Sequence, residues 1–128
     1  MPARLDVSTT RAHGMKTARS GTSHFVWQRL SAAAAIVLIL ALIPAISNMA
    51  YSGYDEIRGF LARPQNAILL LTLIFFSALH MGLGAQVIID DYVSVRGANR
   101  ILQVANVLFC AALFLSCLAA LLKLSNGS

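Results

Sequence analysis

Residues 67–92 read AILLLTLIFFSALHMGLGAQVIIDDY, and the fold of the chain turns on them. From Ala67 to Ile89 there is no Asp, Glu, Lys or Arg. A helix of that length, rising about 1.5 Å per residue, crosses a hydrocarbon core about 30 Å thick. The run nevertheless holds a histidine, His80, and ends in Asp90, Asp91 and Tyr92. Ionisable side chains in or beside a bilayer are expensive, so their presence asks for a chemical reason.

Two more apolar runs flank this one. The first extends from about residue 30 to 49, LSAAAAIVLILALIPAISNM, and the third from about 101 to 124. The 128 residues are 58% hydrophobic and 12% charged, with a mean hydropathy of +0.72. A soluble domain of this length could not hide so much apolar surface. The expected fold is therefore all-α, with three transmembrane helices over about 30–49, 67–89 and 101–124. Pro44, late in the first span, is tolerated in a membrane helix and can kink it. Residues 50–66 join the first two spans, punctuated by Gly53, Gly59 and Pro64, and residues 90–100 join the last two, with Gly97 as the turn residue. Connections this short predict an antiparallel up-down-up arrangement. Residues 1–23 form a polar tail and 24–128 the three-helix membrane domain.

The net charge is +5. Basic residues are not interleaved with aromatics, and half of them precede the first apolar run, so no nucleic-acid partner is expected. They read instead as orientation signals. With the N-terminus inside, Arg4, Arg11, Lys16, Arg19, Arg29, Arg96 and Arg100 are inside, against Arg58, Arg63 and Lys123 outside. Seven against three predicts N-inside, C-outside. The polar lead is long for a secretory signal, and the run after it exceeds an ordinary h-region. The tail also loosely resembles a mitochondrial transit peptide. Cys110 and Cys117 lie seven residues apart in one span, roughly 10 Å along a helix, too far to bond to each other. They read as small buried hydrophobes.

On a helix, the eleven residues from His80 to Asp91 make three turns plus about 20°, so the two share a face, roughly 16 Å apart along the axis. Ser77, Gly84 and Val87 share it too, a stripe of mostly small or polar residues along a greasy helix. Small residues let another helix, or a flat ligand, approach the backbone closely. Three readings of His80 stand: a histidine hydrogen-bonded to a neighbouring helix, a proton relay, and an axial haem ligand. There is no C-x-x-C-H, which leaves only a non-covalent b-type haem for the last. His13 reads as a solvated tail residue, and His24 as an interfacial one close to Trp27.

These pieces resemble the small membrane-anchor subunits of succinate dehydrogenase, respiratory Complex II. That family has three spans, an inside N-terminus, and a span-two histidine followed eleven residues later by Asp-Tyr, here His80, Asp91 and Tyr92. An aromatic-containing lead into span one ends in arginine, here HFVWQR with Arg29. Asp90 is an extra acid beside the motif, and the spacing favours Asp91.

The resemblance implies that His80 is one axial ligand of a haem b whose other ligand comes from a second membrane-anchor cytochrome b subunit. It implies that Tyr92 donates a hydrogen bond to a ubiquinone carbonyl oxygen with Asp91 beside it, and that Arg29 lies near the haem propionates and the quinone. An axial imidazole also needs a partner for its second nitrogen, and Ser77, one turn before His80, is a candidate. The implied partners are that second anchor, completing a larger helical bundle, an iron–sulfur subunit, a flavoprotein subunit and membrane lipid. Succinate oxidation would occur on other chains, since no flavin or iron–sulfur motif is present. The expected location is the bacterial cytoplasmic membrane, N-terminus cytoplasmic, ahead of the mitochondrial inner membrane. The alternatives are a fumarate-reductase anchor and a non-redox membrane scaffold or assembly protein.

Overall fold

The computed structural model describes residues 7–126, with side chains from residue 21 onward. Arg4 and Asp6 lie outside the described residues, as do the side chains of Arg11, His13, Lys16 and Arg19. The elements are α1 (Val7–Met49), α2 (Tyr54–Ala62), α3 (Pro64–Tyr92) and α4 (Arg96–Ser125), with no strand among the described residues. Lipid offers no partner for backbone N–H and C=O groups, so apolar runs of this length satisfy them internally as helices. Gly21–Met49, Pro64–Tyr92 and Arg96–Ser125 are long and apolar enough to cross a membrane.

The helices outrun the apolar spans that mark them. α1 is continuous from Val7, so part of the polar lead is helical, and Pro44 is accommodated inside it. α3 starts at Pro64, whose fixed φ and missing N–H suit the first helical position, after an extended Arg63 (φ −69°, ψ 126°). Only Val93–Val95 separate α3 from α4. Gly97 is therefore in the first turn of α4 rather than at the turn between the helices.

The link between the first two spans holds a helix that its glycines conceal. Asp55 and Glu56 stand in the first turn of α2, where the helix dipole favours negative charge. Ile57, Phe60 and Leu61 follow at helical spacing. Arg63 closes α2 and opens α3, and the Asn66 side-chain amide donates to the Phe60 carbonyl at 3.0 Å, fixing the corner.

α3 lies between α1 and α4, which make at most marginal contact with each other; α2 touches α3 and α4. Contacts pair His24 with Gln86 and Gln28 with His80 across the α1–α3 seam. Across the α3–α4 seam they pair Phe75 with Phe114, Gly82 with Asn106 and Gln86 with Gln103. On both seams, residue numbers rise on one helix as they fall on its neighbour.

Almost nothing is enclosed. Among the described residues only Ser31, Leu42 and Leu121 are buried, and none belongs to α3. In lipid, apolar surface gains little by meeting apolar surface, so close packing and interhelical hydrogen bonds hold such helices together. α4 supplies a polar stripe for that purpose: Asn99, Gln103, Asn106 and Cys110, spaced four, three and four residues apart. The Asn106 amide donates to the Gly82 carbonyl at 2.8 Å, and a Cβ on Gly82 would lie 3.1 Å from Cys110 Sγ. The missing side chain lets the two helices approach there.

Candidate functional site

His80 faces α1. Its Nδ1 lies 3.0 Å from the main-chain carbonyl oxygen of Gln28. A carbonyl oxygen only accepts, so a neutral ring must carry its proton on Nδ1, which leaves Nε2 as a bare lone pair. Gly84, one turn along α3, also faces Gln28: a Cβ there would lie 3.5 Å from Gln28 Nε2. The stripe of His80 and Gly84 is thus real and lies against the first span. The partner of the ring's second nitrogen differs from the sequence expectation. The Gln28 carbonyl takes that place, and Ser77 is exposed. His80 itself is also exposed.

The same carbonyl has a second donor. Ser31 Oγ donates to Gln28 O at 2.9 Å, and Ser31 has no exposed surface at all. One main-chain oxygen thus serves a serine on its own helix and a histidine on the next.

At the end of α3 the two aspartates part company. Gln103 Nε2 and Asn99 Nδ2 donate to Asp90 Oδ1 at 2.9 and 3.1 Å. Asn99 Nδ2 also lies 3.2 Å from Ile89 O and 3.3 Å from Val93 O, serving carbonyls that the end of a helix leaves open. Asp90 is therefore tied to α4. Asp91 and Tyr92 are exposed, Tyr92 to 84%, and neither side chain makes a hydrogen bond among the described residues.

A belt of polar side chains crosses all three spans just inside that end. His24 Nε2 meets Gln86 Oε1 at 3.2 Å, and the Gln86 carbonyl accepts from Gln103 Nε2 at 3.3 Å. Sequence expectation singles out none of Gln86, Asn99, Gln103 and Asn106. The signal that could have found the last three is their helical spacing within an apolar run. Arg29 is exposed, and its guanidinium lies 4.6 Å from the ring centroid of Phe25, one turn earlier, rather than against His80, Asp91 or Tyr92.

A groove of about 290 Å³ between α3 and α4 is lined by Phe75, Leu79, Gly82, Asn106, Cys110 and Phe114, and excludes His80, Asp91 and Tyr92. No group of three or more His, Cys, Asp or Glu that could hold a bare metal ion occurs among the described residues. His80 and Tyr92 thus sit on the outside of the helix row, about 18 Å apart along α3 by helical rise.

The profile of the succinate dehydrogenase/fumarate reductase transmembrane subunit family matches residues 6–127. The chain belongs to that family. Its relatives include proteins named succinate dehydrogenase hydrophobic membrane anchor subunit. The one from Rickettsia bellii is 33% identical over 77% of this chain and 79% of its own. Those from Rickettsia felis and Paracoccus denitrificans are 30% and 23% identical, over 78% and 91% of this chain and 83% and 90% of their own. No solved structure matches it. As a member of a transmembrane subunit family with bacterial relatives and three spanning helices, it is a multi-pass bacterial membrane protein. Helices that enclose almost nothing suit such a subunit.

Proposed function

We propose that this chain is the membrane anchor of a succinate dehydrogenase, holding one side of a b-type haem through His80 and one side of a ubiquinone through Tyr92. The observation that carries the reading is the bond from His80 Nδ1 to the Gln28 carbonyl. Histidines that ligate metals usually donate their other ring N–H to a carbonyl, carboxylate or water, which fixes the tautomer and the ring plane. The residues present fit a haem on those grounds: an exposed imidazole whose Nδ1 is engaged by a carbonyl. A haem bound there would supply a one-electron store. His80 would supply one imidazole ligand to the iron, and a second anchor subunit would supply the other.

Tyr92 does separate work. A quinone accepting two electrons and two protons develops negative charge on its oxygens, and a hydroxyl donor aimed at one of them stabilises that charge. Tyr92 is free to be that donor, and Asp91 beside it can orient it or pass a proton. Electrons would come from an iron–sulfur subunit docked on the inner face, with succinate oxidised on a flavoprotein subunit. The N-terminus and the α3–α4 turn then face the cytoplasm, as the count of basic residues favours. Fumarate reduction uses the same parts in reverse. The names of the relatives favour the succinate direction.

The visible spectrum of the purified complex tests the proposal. Soret and α bands of a low-spin b-type haem are expected, and His80→Ala should abolish or shift them, since iron held from one side changes spin state or is lost. A colourless pure complex would point to a non-redox scaffold. Unchanged bands in His80→Ala would remove the ligand assignment.

A further inference from the structure

We propose that Ser31 is a positioning residue for His80, acting through the Gln28 carbonyl; this rests on the reading of His80 as a haem ligand. Ser31 is the only polar side chain buried among the described residues, in a chain that buries almost nothing. A serine inside a membrane helix commonly returns its hydroxyl to a carbonyl one turn back, which satisfies the hydroxyl and bends the helix locally. What sets Ser31 apart is the carbonyl it uses. Gln28 O receives Ser31 Oγ–H at 2.9 Å and the ring of His80 at 3.0 Å. The helical pattern of α1 also aims the Ala32 amide at that oxygen, so the two side-chain donors compete with it for the two lone pairs.

The hydroxyl therefore tips the carbonyl off the axis of α1 and toward α3. Without it, the oxygen is drawn back toward the amide one turn along its own helix, and the bond to His80 lengthens. Two consequences follow for the imidazole. Its ring plane is less firmly set, and Nε2 becomes a weaker electron donor, because a hydrogen bond from Nδ1–H raises the basicity of the coordinating nitrogen. A weaker donor stabilises ferric iron less, so the haem potential moves upward.

The test uses the assembled complex with Ser31→Ala, Ser31→Thr and His80→Ala. Two quantities are read: the haem midpoint potential, by redox titration of the α band, and the ferric g-values, by electron paramagnetic resonance. Ser31→Ala removes one oxygen and little volume. It should retain haem, raise the potential and change the g-values, whereas Ser31→Thr keeps the hydroxyl and should match the wild type. A potential and g-values unchanged in Ser31→Ala, with the low-spin signal lost in His80→Ala, would overturn the role of Ser31 alone. A low-spin signal that persists in His80→Ala would overturn the haem reading and this proposal with it. If Ser31→Ala does not assemble, Ser31→Cys, of similar size and a weaker donor, carries the comparison. Its potential should also rise, and a wild-type value there would overturn the proposal.

Discussion

Gln103 Nε2 lies 2.9 Å from Asp90 Oδ1, across the seam between the second and third spans. With Asn99 on the same oxygen at 3.1 Å, it ties one of two adjacent exposed aspartates to α4 and leaves the Asp91 side chain without a hydrogen-bond partner among the described residues. Neighbouring carboxylates at the end of one helix thus have different hydrogen-bond surroundings, and substitution can separate them.

Asp90→Ala deprives two amides of their acceptor. Interhelical hydrogen bonds in membranes contribute about 0.6 kcal/mol on average and up to about 1.7, so a loss of roughly 1–2 kcal/mol is expected for the pair. It should appear as a lower melting temperature of the complex, with quinone reduction per haem unchanged. Asp91→Ala should do the opposite, lowering quinone reduction at unchanged melting temperature. The division of labour fails if the two variants exchange these phenotypes.

Tyr92→Phe removes one hydroxyl from an exposed ring, so packing should barely change. If that hydroxyl bonds a quinone oxygen, its loss costs about 1–3 kcal/mol, and quinone reduction falls roughly tenfold to a hundredfold. Succinate oxidation assayed with a soluble dye that takes electrons upstream should persist, as should haem content. Equal loss in both assays would mean damaged assembly. Equal retention would make Tyr92 a plain interfacial residue.

At Gly82 the contact is steric. A methyl there would press on the Cys110 thiol at 3.1 Å, and the thiol can yield a few tenths of an ångström. Gly82→Ala should therefore assemble with a small loss of stability, and adding Cys110→Ala should recover it. Gly82→Leu drives a wedge between α3 and α4 and should remove most assembled complex, as read by size-exclusion chromatography. Normal assembly of the leucine variant would show that the two helices need not approach so closely.

For topology, a cytoplasm-active reporter fused near Met1 should be active, and one fused after Ser128 inactive. This follows from the seven-to-three balance of basic residues. The reverse result would put Tyr92 on the wrong side for an electron donor docked inside.

The three spans were legible because a bilayer makes a one-dimensional demand: enough consecutive apolar residues. The common stripe of His80, Gly84 and Asp91 was legible because helical spacing fixes which residues share a face. The partner of His80 was not. Every residue has a main-chain carbonyl, so no letter in the sequence marks the one at Gln28, and Ser77 was merely the nearest side chain on the same helix. α2 was hidden because nine residues with an internal glycine read as loop. Only its first-turn acids and the spacing of Ile57, Phe60 and Leu61 betray it. The helical spacing of Asn99, Gln103 and Asn106 was in plain view. Gly97 carries a turn letter, yet it stands in the first turn of α4, past the Val93–Val95 link.

The arrangement of α1 and α4 on either side of α3, with little contact between themselves, has a consequence for biosynthesis. Chains are made N-terminus first. When α3 enters the bilayer, α1 is already there, and the whole of their seam, Gln28 to His80 and His24 to Gln86, can close before α4 leaves the ribosome. α4 then needs the exposed flank of α3, where the Gly82 and Gln86 carbonyls and Asp90 await its amides, and the part of α2 that it touches. No contact on either seam has to be undone to admit a later helix, and each hairpin can form as it is synthesised.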